Sequence, residues 1–378
     1  MKIFLLINLL FMFSIDVYAS LSFGDGSQVC NWTTGDKADR FYNCQSVTID
    51  SSETISFYAA SDYIVIRSQG DVRIDGDINL KANSNSPGPG GSLGGDCPAS
   101  GVCNGVDAQT KLGGQGQGGT AGLNDASGGG GSGGRFGSSS LPTKGDDGNN
   151  GIGGGAVGVG GAIPSSGYYP ANNFENEFSG GVGGGAGGSG EDSFSTVEPG
   201  GDGGAGGGGI MIIAKGEVII NGDINANGGA GANGGASSGQ SGGGGGGGGS
   251  GGAIYIIGKK GVTINGNLSA QGGAAGSGGA TGLDNGGSGG VGGHGQIRID
   301  TPSGSYSGVA TTPVATQSTL PTISDPLAKG SQALKSDIVY SCHYRNSQAE
   351  EILSFYFLMG LSFMMSFVFI QLVRVKIT

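Results

Sequence analysis

Aliphatic residues recur at every second position in three stretches of the chain, and the stretches align on one another without a gap. They are "IVIRSQGDVRIDGDINL" (Ile64 to Leu80), "IMIIAKGEVIINGDINANGG" (Ile210 to Gly229) and "IYIIGKKGVTINGNLSAQGG" (Ile254 to Gly273), the last two 44 positions apart (254 − 210). A truncated copy begins at Gln296 with "QIRIDT", and half a copy, "VTIDSSETISF", spans Val47 to Phe57. Alternation of period two predicts β-strands, and repeats of this length predict a solenoid.

The alternation says which side chains share a face. Ile64, Ile66, Val72, Ile74, Ile78 and Leu80 match Ile210, Ile212, Val218, Ile220, Ile224 and Ala226, then Ile254, Ile256, Val262, Ile264, Leu268 and Ala270. All are aliphatic. On the opposite face Arg67 matches Ile213 and Ile257, and Arg73 matches Ile219 and Thr263. The expectation is one buried face and one that tolerates charge. The Asp-Gly and Asn-Gly steps at 75–76, 221–222 and 265–266 invite β-hairpins. A two-residue turn there would put Arg73 on the face of Ile78 and Leu80, and a slip of one residue moves a whole side-chain set to the wrong side. A strand that bends at the glycine and carries on keeps every aliphatic inside. The expected fold is therefore all-β: a parallel β-helix-like solenoid whose strands stack in register.

Composition adds a second layer. Glycine supplies 89 of 378 residues, far above the usual ~7%. Glycine-rich excursions (Gly228 to Gly252 and Gly272 to Gly295) leave one strand set and return to the next, one of them through eight consecutive glycines. Burying about six aliphatic side chains per copy, at ~1.5–3 kcal/mol each, does not offset ~1–2 kcal/mol of backbone entropy per residue over a whole repeat. The excursions therefore either stay loose or bond among themselves. Polyglycine-II-like helices, with three residues per turn and no side chains between them, favour the second.

The two ends read as export and anchoring signals. Residues 1–19 have the basic Lys2, an apolar run from Ile3 to Phe13 and the small-residue site Val17-Tyr18-Ala19 of a signal peptide. Ile352 to Val373 carries no charge and spans about 33 Å as a helix, enough to cross a bilayer. Arg374 and Lys376 follow it, which places the 374–378 tail in the cytoplasm and the body outside. Between lie an N-terminal cap and first repeat (20–83), a glycine-rich insertion (84–208), the repeats (209–300) and a Ser/Thr/Pro-rich stalk (301–351). A formal charge of −11 and a pI near 4.5 argue against nucleic-acid phosphate as a partner. Five cysteines fit an oxidising compartment. Cys30 with Cys44 and Cys97 with Cys103 are local candidates for disulfides, although four cysteines allow three pairings. Cys342 remains as a free thiol, an intermolecular link or a lipid site.

Little catalytic chemistry is legible. His294 and His343 are the two histidines; neither belongs to a metal-ligand or triad spacing, so no catalytic residue, metal or cofactor is expected. Matches to G-x-G-x-x-G carry no information at this glycine content. Carboxylates in the Gly-Asp steps (Asp75, Asp77, Asp223) are explained by turn formation. The cluster "SSGYYPANNFENEF" (Ser165 to Phe178) offers Tyr168, Tyr169, Phe174 and Phe178 either as a plug on the side of the solenoid or as an exposed contact loop.

The unit "GGSGGAIYIIGKKGVTINGNLSAQGG" resembles those of glycine-rich bacterial cell-surface and adhesin-like proteins. Its glycine runs are similar to the polyglycine-II domains of some phage tail-tip adhesins. The resemblance covers 64–80 and 206–300 and implies display and adhesion, with specificity in loops between glycine helices. The C-terminal helix with its basic tail resembles bacterial sorting tails, though no LPxTG sequence is present. The expected function is that of a non-enzymatic, exported, membrane-anchored envelope or adhesive protein. Its partners would be the membrane and either a surface polysaccharide or another cell's envelope. The alternatives are a carbohydrate-active β-helix enzyme, for which Arg67, Arg73, Asp75 and Asp77 are the nearest candidates, and a periplasmic scaffold.

Overall fold

The computed structural model describes residues 21–57, 62–84, 86–98, 102–108, 114–123, 126–136, 159, 161–162, 178–192, 196–236, 241–280, 284–321 and 323. All of them lie in one compact unit. The expected signal peptide, membrane segment and basic tail, Cys342, Tyr168, Tyr169 and Phe174 fall outside the described residues. Among the described residues no helix is long and apolar enough to cross a membrane.

The fold is all-β, and its strands form parallel, solenoid-like stacks. Each full copy contributes three strands: β5 (Ile64–Ser68), β6 (Val72–Ile74) and β7 (Asp77–Asn79); then β10 (Gly209–Ala214), β11 (Glu217–Ile220) and β12 (Ile224–Asn225); then β13 (Ala253–Gly258), β14 (Gly261–Ile264) and β15 (Leu268–Ser269). Ile210 pairs with Ile64 on one side and Ile254 on the other, Val218 with Val72 and Val262, and Ile224 with Ile78 and Leu268. This is the register of the gapless alignment. The aliphatics assigned to the inner face all lie in one buried cluster. No hairpin forms at the Asn-Gly steps, because the chain turns a corner there and continues.

The N-terminal residues close one end. β1 (Gln28–Trp32) and β3 (Phe41–Ile49) pair in parallel, as do β2 (Gly35–Lys37) and β4 (Thr54–Phe57). β3 is long enough to span two faces, pairing with β5 through Phe41–Cys44 and with β6 through Val47–Ile49. Trp32, Tyr42 and Phe57 pack edge-on with centroids 4.9 to 6.0 Å apart and cap the inner core. At the other end β16 (Gln296–Thr301) pairs with β13, and β17 (Ser307–Gly308) with β14. β18 (Thr316–Thr319) adds to β16. The first part of the expected stalk is therefore the last rung of the stack, where short polar residues suit an edge that must not recruit further strands.

A second difference concerns the outer face. The stack β5–β10–β13–β16 is buried on both sides. Val65, Met211, Ile213, Tyr255 and Ile257 point outward into a second cluster with Leu21, Phe23, Phe136, Phe178 and Val182. The continuous runs "IMII" and "IYII" are the signature of a strand covered twice. Arg67, Arg298 and Asp300 are charged residues of that face, and Arg298 and Asp300 are paired with each other.

What covers the stack is glycine. Segments g1 (88–96), g2 (102–108), g3 (114–123), g4 (126–136), g5 (178–189), g6 (199–208), g7 (226–236), g8 (241–252), g9 (270–280) and g10 (284–295) run alongside one another and bond laterally with a three-residue period. In g8 the amides of Gly243, Gly246, Gly249 and Gly252 donate to g7 or the residue at its start. Those of Gly244, Gly247 and Ser250 donate to g5, and those of Gly245, Gly248 and Gly251 to g10. Its carbonyls accept from g4 (Gly128, Gly131, Gly134), g6 (Gly201, Gly204, Gly207) and g9 (Gly273, Gly276, Gly279). Thus g8 is surrounded by six neighbours. Every phase of its turn faces another backbone, and a side chain on any of Gly242 to Gly249 would collide with a neighbouring backbone atom. The eight-glycine run is the sequence of a fully enclosed segment.

Segments at the rim obey a different rule. In g9 exposure falls on Gln271, Ala274, Ser277 and Ala280; in g7 on Ala230, Asn233 and Ala236; in g3 on Gln117, Thr120 and Leu123. In these rim segments one residue per turn faces outward, whereas the GGS, GGV and GGA triplets of g1, g4, g5 and g6 carry Ser92, Ser132, Val182, Ser189 and Ala205 buried. The triplet therefore does not by itself mark a rim segment; enclosure is set by how many phases of the turn face another backbone.

Candidate functional site

Two regions carry side chains that could act on a partner: the corners of the strand stack, and the rim and free end of the glycine array. The corners hold the residues of the enzyme alternative. Asn221 donates its carboxamide N–H to Asp75, and Asn265 donates to Asn221 at 2.8 Å. One step along, the backbone N–H of Asp223 donates to Asp77 at 2.9 Å and that of Asn267 to Asp223 at 2.8 Å. Both are ladders of Asp and Asn across successive copies, and they tie one corner to the next. The Asn221 amide, then Arg73 at 2.7 Å, hold the Asp75 carboxyl below its usual range. Arg67 lies elsewhere, with its guanidinium 5.6 Å from the Phe41 ring centroid. The structure brings Arg73 and Asp75 together, but it engages Asp75 and Asp77 in corner formation and leaves Arg67 on a different strand.

The buried polar group on the outer face is also structural. Arg298 donates twice to Asp300, at 2.9 and 2.8 Å, and Tyr255 Oη donates to the same carboxylate at 2.6 Å. The guanidinium stands 4.9 Å from the Tyr255 ring. A buried ion pair is tolerated when its lone pairs are used in this way.

The free end lies opposite the strand stack. Segments g7 and g9 leave the stack, g8 and g10 return to it, and the described ends of g2, g3, g4, g5, g8 and g10 that lie away from the stack are bonded to one another. Ser189 donates to the carbonyl of Cys103 and Ala126 to that of Glu191. Ser127 Oγ donates to the Asp284 carbonyl at 2.8 Å and accepts from the Gly242 amide at 3.1 Å. A short antiparallel pair, β8 (Gly190–Glu191) with β9 (Val197–Glu198), extends the g5–g6 connection. The Cys97–Cys103 disulfide closes the g1–g2 turn, and Cys30–Cys44 staples β1 to β3. These are the local pairings among the three that four cysteines allow.

On the flank of the array, Leu93, Gly94, Gly95, Asp96, Asp202 and Gly203 line a cleft of about 150 Å³. A hydrogen bond with Asp202, then burial, then the charge of Asp202 push the Asp96 carboxyl above its usual range. Asp202 also accepts the Cys97 backbone N–H at 3.3 Å. The pair therefore ties g1 to g6 just below the disulfide turn. Among the described residues no group of three or more His, Cys, Asp or Glu side chains could hold a metal ion.

Phe178 is placed in the interior. It is buried against Tyr63, with ring centroids 4.8 Å apart, and joins the second cluster. Of its two readings, this geometry is that of the plug. Sequence reasoning missed the Gly-Gly-X rim and the side chains that serve it. Asn227 accepts the Gln271 amide at 2.6 Å, Asn233 the Ser277 amide at 2.9 Å, and His294 Nδ1 the Gly272 amide at 3.2 Å. The triplet spacing alone does not reveal it, since the same triplets are buried in g5 and g6. No family model, curated protein or solved structure matches the chain.

Proposed function

We propose that the chain is an exported, membrane-anchored display protein of the cell envelope, in which a parallel β-helix carries a polyglycine-II array and presents its free end and rim to a partner. One observation carries this reading: the described ends of the array's segments meet at the end away from the strand stack, held by a scaffold bonded along its length. Binding residues on loops set by a rigid frame are the usual arrangement for recognition. Two disulfides support passage through an oxidising compartment. The apolar Ile352 to Val373 segment supplies the anchor and Cys342 a candidate lipid or sorting site. Tyr168, Tyr169 and Phe174 remain candidates for contact, and a surface polysaccharide or another cell's envelope is the proposed partner.

The test is topological. One epitope is inserted between Ser238 and Gly239, in the g7–g8 connection, and another follows Thr378. Staining of intact cells by the internal epitope is expected. Retention of both epitopes on one membrane-bound band without surface staining would instead indicate a scaffold facing a closed compartment, and the display reading would fall.

A further inference from the structure

Both ends of the described body leave it at one place. Leu21 and Phe23, just after the expected signal-peptide site, are buried in the second cluster, and Leu320 and Ile323 pack against that same cluster. Thr319 pairs with Thr301, and Asp300 with Ile257, so Leu320 is level with Lys259 at the corner where the first strand of a copy passes into the second. Lys259 Nζ stands 5.5 Å from the Phe23 ring centroid. Two rungs away along the same corner, the Gln69 carboxamide donates to the Gly24 carbonyl and accepts from Lys215 Nζ at 3.3 Å.

The corner changes sign along the stack. It reads Gln69-Gly70-Asp71 in the first copy, Lys215-Gly216-Glu217 in the second and Lys259-Lys260-Gly261 in the third, so its formal charge runs −1, 0 and +2. The positive end is the one from which the chain leaves for the apolar segment. Lys259 and Lys260 are exposed, and neither is paired with a carboxylate among the described residues. The array enters β10, β13 and β16 at their starts, and these lysines lie past the opposite ends of the strands. At the array's other end the g5–g6 connection carries Glu191, Asp192 and Glu198 and no lysine or arginine.

We propose that this corner is a lipid-contacting surface, in which Lys215, Lys259 and Lys260 rest on the anionic headgroups of the bilayer that holds the anchor and so turn the array's other end outward. The inference rests on the anchored display reading and adds to it the orientation of the body. Three observations meet here: cations gathered in a chain of net charge −11, their place at the exit toward the anchor, and a short tether. Between Ile323 and Ile352 lie 28 residues (352 − 323 − 1), which span about 30 Å as a random chain and about 90 Å fully stretched. That tether keeps the corner within reach of the surface. An anionic surface attracts each ammonium group within a Debye length, ~8 Å at physiological salt, and repels the acidic connection.

The full chain is reconstituted into vesicles of phosphatidylcholine alone or with phosphatidylglycerol, floated to score insertion, and pulsed with a membrane-impermeant acetylating reagent. Peptide mass spectrometry then reads each lysine. On the anionic vesicles Lys259 and Lys260 are expected to label at least about threefold more slowly than on the neutral ones, with the difference lost at high salt. Lys81, exposed past the end of β7, should label alike on both. Equal labelling of Lys259 and Lys260 on the two vesicles, or equal protection on both, overturns the proposal. In the Lys259→Gln/Lys260→Gln variant the charge-dependent protection of Lys215 should disappear, and its persistence would show that another surface meets the lipid. Protection by dissolved polygalacturonate but not by anionic vesicles would assign the corner to an acidic glycan and overturn the lipid partner. A chain that floats with neither vesicle removes the anchor and this inference together, whereas flotation with unprotected lysines removes this inference alone.

Discussion

A methyl group on Gly247 would press into the carbonyl of Ser132, and no rotamer can relieve a clash between a Cβ and a backbone. Gly247→Ala is therefore expected to cost about 3 kcal/mol or more, at the upper end of overpacking effects, since two hydrogen-bonded backbones must separate. Ala274→Ser, on the exposed phase of g9, should stay within about 0.5 kcal/mol of the wild type. Denaturant unfolding of both variants tests the contrast, and equal stabilities would mean that g8 is not enclosed. At this scale the inner aliphatics were legible from alternation, since each is buried where the period put it. The outward glycine phases were not. A glycine's role depends on which backbone faces it, and that neighbour comes from another copy. Phe178 was ambiguous for the same reason, because its partner Tyr63 is over a hundred positions away.

Strands and glycine segments are held together by different means. Strands bury side chains on one or both faces, and the triplet segments bury backbone against backbone. Their joints use side chains, as at Asp96 and Asp202, which tie g1 to g6. Because the folded Asp96 carboxyl is raised, the stability it brings is fully present below the unfolded carboxyl pKa of ~3.9 and is lost as pH rises through the folded value. Asp75 has the opposite sign: its contribution is present above ~3.9 and is lost as pH falls through its depressed folded value. Carboxyl carbon shifts followed by NMR should place the Asp96 midpoint above, and the Asp75 midpoint below, that of a model carboxylate. Asp202→Asn should bring the Asp96 midpoint down. An Asp96 titration unmoved by that substitution would remove the joint. The corner ladders were half legible. Asp-Gly and Asn-Gly steps announced turns, but their stacking into Asp75–Asn221–Asn265 requires the register to be known.

Across the described body, the second cluster binds array to stack: Phe136 and Val182 from g4 and g5 pack on Met211, Ile213 and Tyr255. Hydrogen exchange should report one cooperative body. The amides of the eight-glycine run are expected to exchange as slowly as those of β13, and exchange within seconds would show an array that opens independently of the stack. The solenoid was legible because three copies repeat. The layout of g1 to g5 was not, because residues 84–198 have no second copy to align with. The constant register between copies carries a consequence for ancestry. A tandem duplication of one copy inserts a rung that meets its neighbours through residues of the same kind, and the last copy still ends the series. Size differences between descendants of such a gene would then come in quanta of 43 or 44 residues, while the two ends stayed recognisable.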